Sequence, residues 1–328
     1  MSRTVKAAIV TETGKPPVFL EVTLAAAGED EVTIKVVAAG YSHLVRGRAS
    51  GAHYSASKSS SIVGVDGVGY VEGTGALVYF FSLGGSYSQY VNVDKRSVFP
   101  FPEGITTESA IASVAALTNG AMSSILGFSR IKDLPANPTV VVIGATGVAG
   151  HIAIQISKKL YNAKRVIGIG RNGDKLKALK AAEPLLDDII SYTDKDEDIM
   201  KNETLADADV VLDYVWGLAT TRFMTLAIKS KKVSSQALSW VEIGAISEEP
   251  TIALPAAALR SNNFSILGSG IGPLTGIEMN KCLVQATESL AKGVLNFEVK
   301  GIPLEDVTEE WAKPWSNDEG RKYFIISH

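Results

Sequence analysis

A single cysteine, Cys282, in 328 residues excludes an intrachain disulfide and any metal site built from several thiolates. Histidine is scarce too, at four residues, so the usual nitrogen ligands of a metal centre are nearly absent and no metal is expected. Basic residues do not exceed acidic ones (32 against 35, net charge −3). Lys and Arg are scattered along the chain, which leaves no positive field for nucleic acid or an anionic membrane surface. No uninterrupted apolar run approaches the roughly 20 residues that span a bilayer. The opening MSRTVKAAIVTETGKPP has one short apolar patch and no signal-peptide core, so a soluble, cytoplasmic protein is expected. What the chain does have is 46% hydrophobic residues, ample for a sizeable core, and a length that suits two domains or one domain interrupted by another.

The periodicity changes along the chain. Up to about residue 105 it reads as strands: EVTIKVVAAG alternates apolar and polar, SIVGVDGVGYVEG is β-branched and punctuated by glycine, and ALVYFF and SYSQYVNVD follow after short loops. This predicts a compact, mostly antiparallel β-domain. SGAHYSASKSSS, small and polar, is either a loop over that domain or a flexible linker. TTESAIASVAALTNGAMSSIL then reads as an Ala-rich helix with Thr106 or Thr107 at its N-cap and Glu108 in its first turn. From TVVVIG onward, apolar strands (RVIGIG, DDIISY, DVVLDYV, SWVEIGA, FSILGSG) alternate with helices, the pattern of a parallel sheet covered on both faces. The tail KYFIIS is one more strand, expected to rejoin the N-terminal domain.

VVVIGATGVAG places Gly144, Gly147 and Gly150 where a strand turns into a helix. Gly147 lets the backbone approach a pyrophosphate, Gly150 lets helix and strand pack closely, and the helix start offers free N–H groups and a positive dipole end. Ala145, Thr146 and Val148 fall in the same turn. The next strand ends at Gly170 and Arg171, 21 residues past Gly150. An acidic residue there accepts from the ribose hydroxyl of NAD; Arg171 instead suits the 2′-phosphate of NADPH through its bidentate fork, with Lys175 adding charge and Asn172 a hydrogen bond. The competing possibility is that Arg171 and Lys175 are solvated charges at a helix start.

The order of these parts resembles the medium-chain dehydrogenase/reductase superfamily, and within it the zinc-independent quinone oxidoreductase and enoyl reductase branch. AAGYSHLVRG, IVGVDGVGYVEG, GATGVAG, VEIGA, ALRSNNFSILGSG and GRKYFIIS fall in family order across essentially the whole chain. The resemblance implies an α/β protein: a GroES-like, mostly-β catalytic domain from residues 1–128 and 269–328, and an inserted Rossmann domain, a doubly wound parallel sheet, at 129–268, with the active site in the cleft. It implies NADPH as cofactor, a small-molecule substrate and a homodimer. Zinc members carry a Cys after AAG and a later Gly-His-Glu; Ser42 and Gly64-Val65-Asp66 stand at those positions here.

Without zinc as Lewis acid, hydride transfer to an already electron-poor acceptor remains feasible: a quinone, or the C=C of an enone or enal. The resemblance points to Tyr54, in GAHY, as a proton or hydrogen-bond donor, with an aromatic lid as the alternative. Ser42 replaces the Asn that many quinone reductases place near the nicotinamide, and His43 and His53 are further candidates. Asp66 is expected to be structural. On the coenzyme side the resemblance assigns Thr118, and the strand ends Ile243, Gly244 and Ala245 and Gly268 and Ser269, which face the nicotinamide chiefly through backbone groups. An imine reductase with the same hydride geometry, and a non-catalytic NADPH-binding scaffold or sensor, are the alternatives.

Overall fold

The computed structural model describes residues 1–53, 55–56, 61–193, 203–231, 235–270, 275–316 and 319–328. They form two compact units, Met1–Asn119 with Leu283–His328, and Gly120–Cys282, called here the terminal and the central unit. The terminal unit opens with strands β1 (Arg3–Val10), β2 (Val18–Leu24) and β3 (Glu31–Gly40), then helix α1 (His43–Ala49). Strands β4 (Ser61–Ile62), β5 (Asp66–Val71), β6 (Leu77–Phe81), β7 (Tyr90–Asp94) and β8 (Val98–Pro100) follow, and helix α2 (Glu108–Ser129) runs on into the central unit. The apolar positions of EVTIKVVAAG bury Ile34 and Val36 completely, and β3 becomes the hub of the sheet. It pairs antiparallel with β5 and with β7, with an irregularity between Val36 and Ala38 against β5.

Helix α1 departs from the all-strand reading of this region. The Ser42 hydroxyl accepts a hydrogen bond from the Val45 N–H at 3.2 Å, capping a helix that begins at His43. Gly40 just before it has a definite job. A Cβ there would lie 2.6 Å from the Ala115 carbonyl oxygen and 3.1 Å from Asp66 Oδ1, so only glycine allows β3 to lie this close to both.

The central unit holds β9 (Thr139–Ile143), α3 (Val148–Lys159), β10 (Arg165–Gly170), α4 (Gly173–Ala182), β11 (Asp188–Ser191) and β12 (Val210–Asp213). It continues with α5 (Leu218–Ser230), β13 (Leu238–Glu242), α6 (Ala256–Arg260) and β14 (Phe264–Gly268), and ends within α7 (Gly276–Ala291), whose residues from Leu283 on belong to the terminal unit. Its six strands pair in parallel in the order β11-β10-β9-β12-β13-β14. That is the doubly wound dinucleotide-binding order, which reverses between its first and fourth strands, β9 and β12, and opens a crevice at their carboxyl ends. Helices cover the sheet because strands such as β9 are buried at every residue.

The chain then returns to the terminal unit through β15 (Val299–Pro303), α8 (Val307–Ala312) and β16 (Arg321–Ile325). β16 pairs antiparallel with β3 and parallel with β15, so the tail does rejoin the N-terminal strands, within the sheet order β15-β16-β3-β5-β6-β8. The stretch FEVKGIPLEDV supplies β15. The core beneath these strands gathers Ile34, Tyr41, Phe80, Tyr87, Trp311 and Phe324 from both ends of the chain. α2 has the length and apolarity of a membrane-spanning helix, with mean hydropathy 1.4 over its most apolar stretch, which residue-by-residue reading of the sequence did not register. Of that stretch 78% is buried inside the fold, and the apolarity is that of a core helix.

Candidate active site

The turn from β9 to α3 is a cradle of backbone amides. Gly144 has a φ of 91°, the left-handed region that favours glycine, and a Cβ there would press on Tyr214 and Val215 beyond the end of β12. Gly150 permits the close packing: a Cβ would lie 2.3 Å from the Gly144 carbonyl oxygen. Gly147 differs, since a Cβ would meet nothing nearer than the same oxygen at 3.4 Å, so its bareness clears space for a ligand rather than for the fold. It is also the N-cap of α3, and no side chain caps that helix. The first amides are therefore left for a ligand at the positive end of the helix dipole. Thr146 is exposed beside it, while Ala145 and Val148 are buried and shape the turn.

Arg171 follows β10 directly. It is exposed and makes no hydrogen bond or ion pair with any described residue. Asn172 is N-cap of α4, its Oδ1 accepting from the Lys175 N–H at 2.9 Å, so the side-chain oxygen is used in capping and only its amide N–H groups remain for a ligand. Gly170 is buried, and its carbonyl accepts from the Tyr192 N–H.

Across the crevice, β12 ends in a fully buried carboxylate, Asp213. Its Oδ1 accepts from the N–H groups of Val215 (2.9 Å) and Trp216 (3.1 Å), and its Oδ2 from Thr220 Oγ1 (2.6 Å) and Trp240 Nε1 (3.0 Å). Four donors offset the desolvation of the charge and fix the loop after β12, α5 and β13 to one another. Trp216 adopts φ 55° in this anchored loop and packs against the apolar core of the unit.

The strand ends beyond β13 and β14 are tied down through their N–H groups. The N–H groups of Ile243 and Gly244 both donate to the Asp213 carbonyl, the Ser269 N–H donates to the Glu242 carbonyl at 2.7 Å, and the Gly268 carbonyl accepts from Arg130. Ser269 Oγ donates to the Ser123 carbonyl at 2.5 Å. These N–H groups and the Gly268 carbonyl are engaged within the unit, which leaves the carbonyls of Ile243 and Gly244 and the exposed Ala245 as the groups such a contact would use. Glu242, quoted within VEIGA but not singled out, is half-buried at the tip of β13. Burial, and after it the nearby Asp213 charge, raise its carboxyl above the usual range.

Thr118 is fully buried and its hydroxyl donates to the Val114 carbonyl of its own helix at 2.6 Å, so α2 does not present it to a ligand.

In the terminal unit, Ser42 is buried as the cap of α1, while the adjacent His43 is exposed and its ring lies against Trp315, centroids 4.1 Å apart. Desolvation by the groups packed around the ring, then the charges of Arg321 and Arg46, lower the His43 pKa. Tyr54 lies outside the described residues. His53 Nδ1 is held at 2.9 Å from Ser55 Oγ in a local turn. Asp66 is buried, with Tyr79 donating to it at 2.9 Å, and burial pushes its carboxyl up to about 6 against the opposing pull of Tyr79 and Arg321; it is structural, as expected. Arg46, Trp311 and Trp315 went unnoticed in the sequence. A signal was there in Arg46 lying three residues after His43, the spacing of one helical face, whereas Trp315 lies beyond the end of α8 and no periodicity announced it.

Among the described residues no group of three His, Cys, Asp or Glu is placed to hold a metal.

No family model matches the chain. A probable NADPH-dependent quinone reductase of Emericella nidulans, tdiC, is 26% identical over an alignment of 342 positions that covers 90% of this chain and 92% of the relative. The acrylyl-CoA reductase AcuI of Ruegeria pomeroyi is 34% identical over 113 residues, 34% of each chain. Among solved structures, a quinone oxidoreductase of Thermus thermophilus, also solved with NADPH, superposes with a TM-score of 0.74 at 23% identity over 98% of this chain and 99% of its own. Strand order and the glycine turn are those of a dinucleotide-binding fold, and the likeness to the quinone reductase and the quinone oxidoreductase runs the length of the chain.

Proposed function

We propose that the protein is an NADPH-dependent reductase that transfers hydride to an electron-poor acceptor, a quinone or a C=C conjugated to a carbonyl. The observation that carries the coenzyme is the uncapped, glycine-cleared start of α3 together with Arg171 at the end of the adjacent strand, exposed and without a partner among the described residues. The acceptor class is supported by the relatives, a quinone reductase and an acrylyl-CoA reductase. The cradle fits the coenzyme: amides of the α3 start for the pyrophosphate, the Gly147 face for its close approach, and Arg171 with Lys175 for the 2′-phosphate. When bound, NADPH supplies the hydride, which with a proton from solvent or a side chain takes a quinone to a hydroquinone or reduces a C=C.

The chain's own residues position and exclude. The Asp213 network holds the crevice loop rigid, so little reorganisation accompanies binding. His43 and Tyr54 are the proton or hydrogen-bond donors we propose for the developing oxyanion, and the buried Ser42 caps the helix that begins at His43. The chemistry is proposed to need no metal, because Val65 offers no donor atom where zinc enzymes carry a His, and Ser42 holds α1 where they carry a Cys. We place the protein in the cytoplasm and expect a homodimer through β14, the last strand in its sheet, which light scattering checks.

The test is a spectrophotometric screen of NADPH oxidation against quinones, enals, enones and cyclic imines. Turnover with a quinone or enone, faster with NADPH than with NADH, is the expected result. NADPH binding without turnover on any acceptor would favour a non-catalytic scaffold, and turnover confined to cyclic imines would move the substrate class.

A further inference from the structure

We propose that an open groove beside α1 in the terminal unit selects a planar aromatic anion, such as the ionised form of an acidic hydroxyquinone. The substrate class rests on the reductase proposal; the binding itself does not require turnover. The groove has a volume of about 480 Å³, within the range of small-molecule sites. One wall is a face of α1 and its C-cap, where His43, Arg46, Gly47 and Ser50 follow at helical spacing; the other is Trp311 and Trp315, with Gly14 and Pro16 closing one side. Gly47 keeps the floor open, since a Cβ there would meet only His53 Cβ at 3.5 Å.

The walls offer flat aromatic surface and one fixed cation. Arg46 donates from Nη2 to the Trp311 carbonyl at 3.0 Å, and its guanidinium lies 5.3 Å from the Trp311 ring and 5.9 Å from the Trp315 ring. The neutral His43 imidazole, against Trp315, is a stacking surface rather than a second cation. Behind this wall Arg321 is buried 5.5 Å from the Trp315 ring.

The same region is short of acceptors. The Tyr41 hydroxyl, the Trp315 indole N–H and the Arg321 Nε–H are buried with no hydrogen-bond partner among the described residues. Glu310 is already paired with Lys313 and Lys322, whereas Arg46 makes no ion pair with a described residue. An aliphatic anion would meet the charge and leave the indoles bare. A neutral ring would stack and leave Arg46 unanswered. A planar aromatic anion answers both, with an ionised oxygen toward the guanidinium and its ring between imidazole and indoles.

The experiment titrates the full chain, without NADPH, with 2-naphthoate and with its neutral isostere 2-naphthamide, read by calorimetry and by tryptophan fluorescence. Naphthoate is expected to bind about tenfold more tightly or better, and Arg46→Met to remove that preference. Because Arg46 also holds Trp311, a second pair of variants on the exposed Ser50 leaves the core alone. Ser50→Lys tightens naphthoate by about threefold and Ser50→Glu weakens it as much, while naphthamide is unmoved by either. Equal affinities for the two probes, absence of binding, or naphthoate affinity indifferent to the charge at position 50 overturns the proposal. Turnover of neutral quinones with no naphthoate preference removes the groove and leaves the reductase standing; naphthoate selectivity with no turnover on any acceptor does the reverse.

Discussion

Replacing Arg171 by Ala tests the coenzyme assignment at a point where the fold itself is indifferent. The side chain is exposed at the end of β10 and bonds to no described residue, so its removal breaks no internal contact and the unfolding midpoint should stay within error. What it removes is a charge-assisted fork on a 2′-phosphate, worth about 1.5–3 kcal/mol, or about tenfold to about a hundredfold in affinity. Solvent screening at an exposed site, and the second positive charge of Lys175 in the first turn of α4, put the expectation at the lower end, about tenfold. The assay is steady-state kinetics with whichever acceptor the screen yields, varying NADPH and NADH in turn. The Arg171→Ala protein should lose about tenfold in kcat/KM for NADPH, chiefly through KM, with NADH within about twofold of the parent enzyme. A parallel loss with both coenzymes, or no change with either, would show that Arg171 is a solvated surface charge and that another group reads the phosphate.

The glycines of the turn separate folding from binding. Gly150→Ala drives a Cβ to 2.3 Å from the Gly144 carbonyl oxygen and should lower stability by about 1–3 kcal/mol in urea unfolding, whereas Gly147→Ala should leave unfolding nearly unchanged and weaken NADPH binding by calorimetry; the reverse pattern would refute the assignment. Asp66 gives a pH signature. Its folded pKa, raised to about 6 from an unfolded value near 3.9, favours the protonated form in the folded state. Its stabilising contribution is complete below about pH 4 and is lost as pH rises through about 6, by about 3 kcal/mol. Asp66→Asn should flatten the stability-versus-pH curve by that amount over this window, and identical slopes for the two proteins would sink the claim. Ser42→Ala removes the cap of α1 and should lower stability by about 1 kcal/mol; if kcat also falls more than about tenfold, the hydroxyl does more than cap the helix.

Much of the architecture was legible because its causes are local or nearly so. The alternation in EVTIKVVAAG announces β3, the apolar run before Gly144 announces β9, and the glycine triplet in its strand-to-helix context announces a phosphate cradle. The position of Arg171 at the end of β10 was readable from its distance past Gly150 alone. The features that escaped depend on what a residue meets. Ser42 looked like a substitute for an active-site Asn and proves to be a helix cap, because a hydroxyl two bonds from the backbone satisfies the Val45 amide. Ile243, Gly244 and Ser269 looked like nicotinamide contacts, yet their N–H groups answer carbonyls on Asp213 and Glu242 that only the parallel register of β12, β13 and β14 brings alongside.

The sequence by itself therefore determined the two kinds of domain, the nucleotide turn and the sign of charge awaiting the coenzyme's ribose, since periodicity, glycine sterics and formal charge are properties of the chain. The tertiary structure decided which polar groups remain available and which surfaces face one another. It drew Asp213 into a closed network, set Asp66 under Gly40, and brought Trp311 and Trp315 from the far end of the chain against His43 and Arg46. Desolvation and stacking depend on neighbours in space, and those neighbours are more than 260 residues away in sequence.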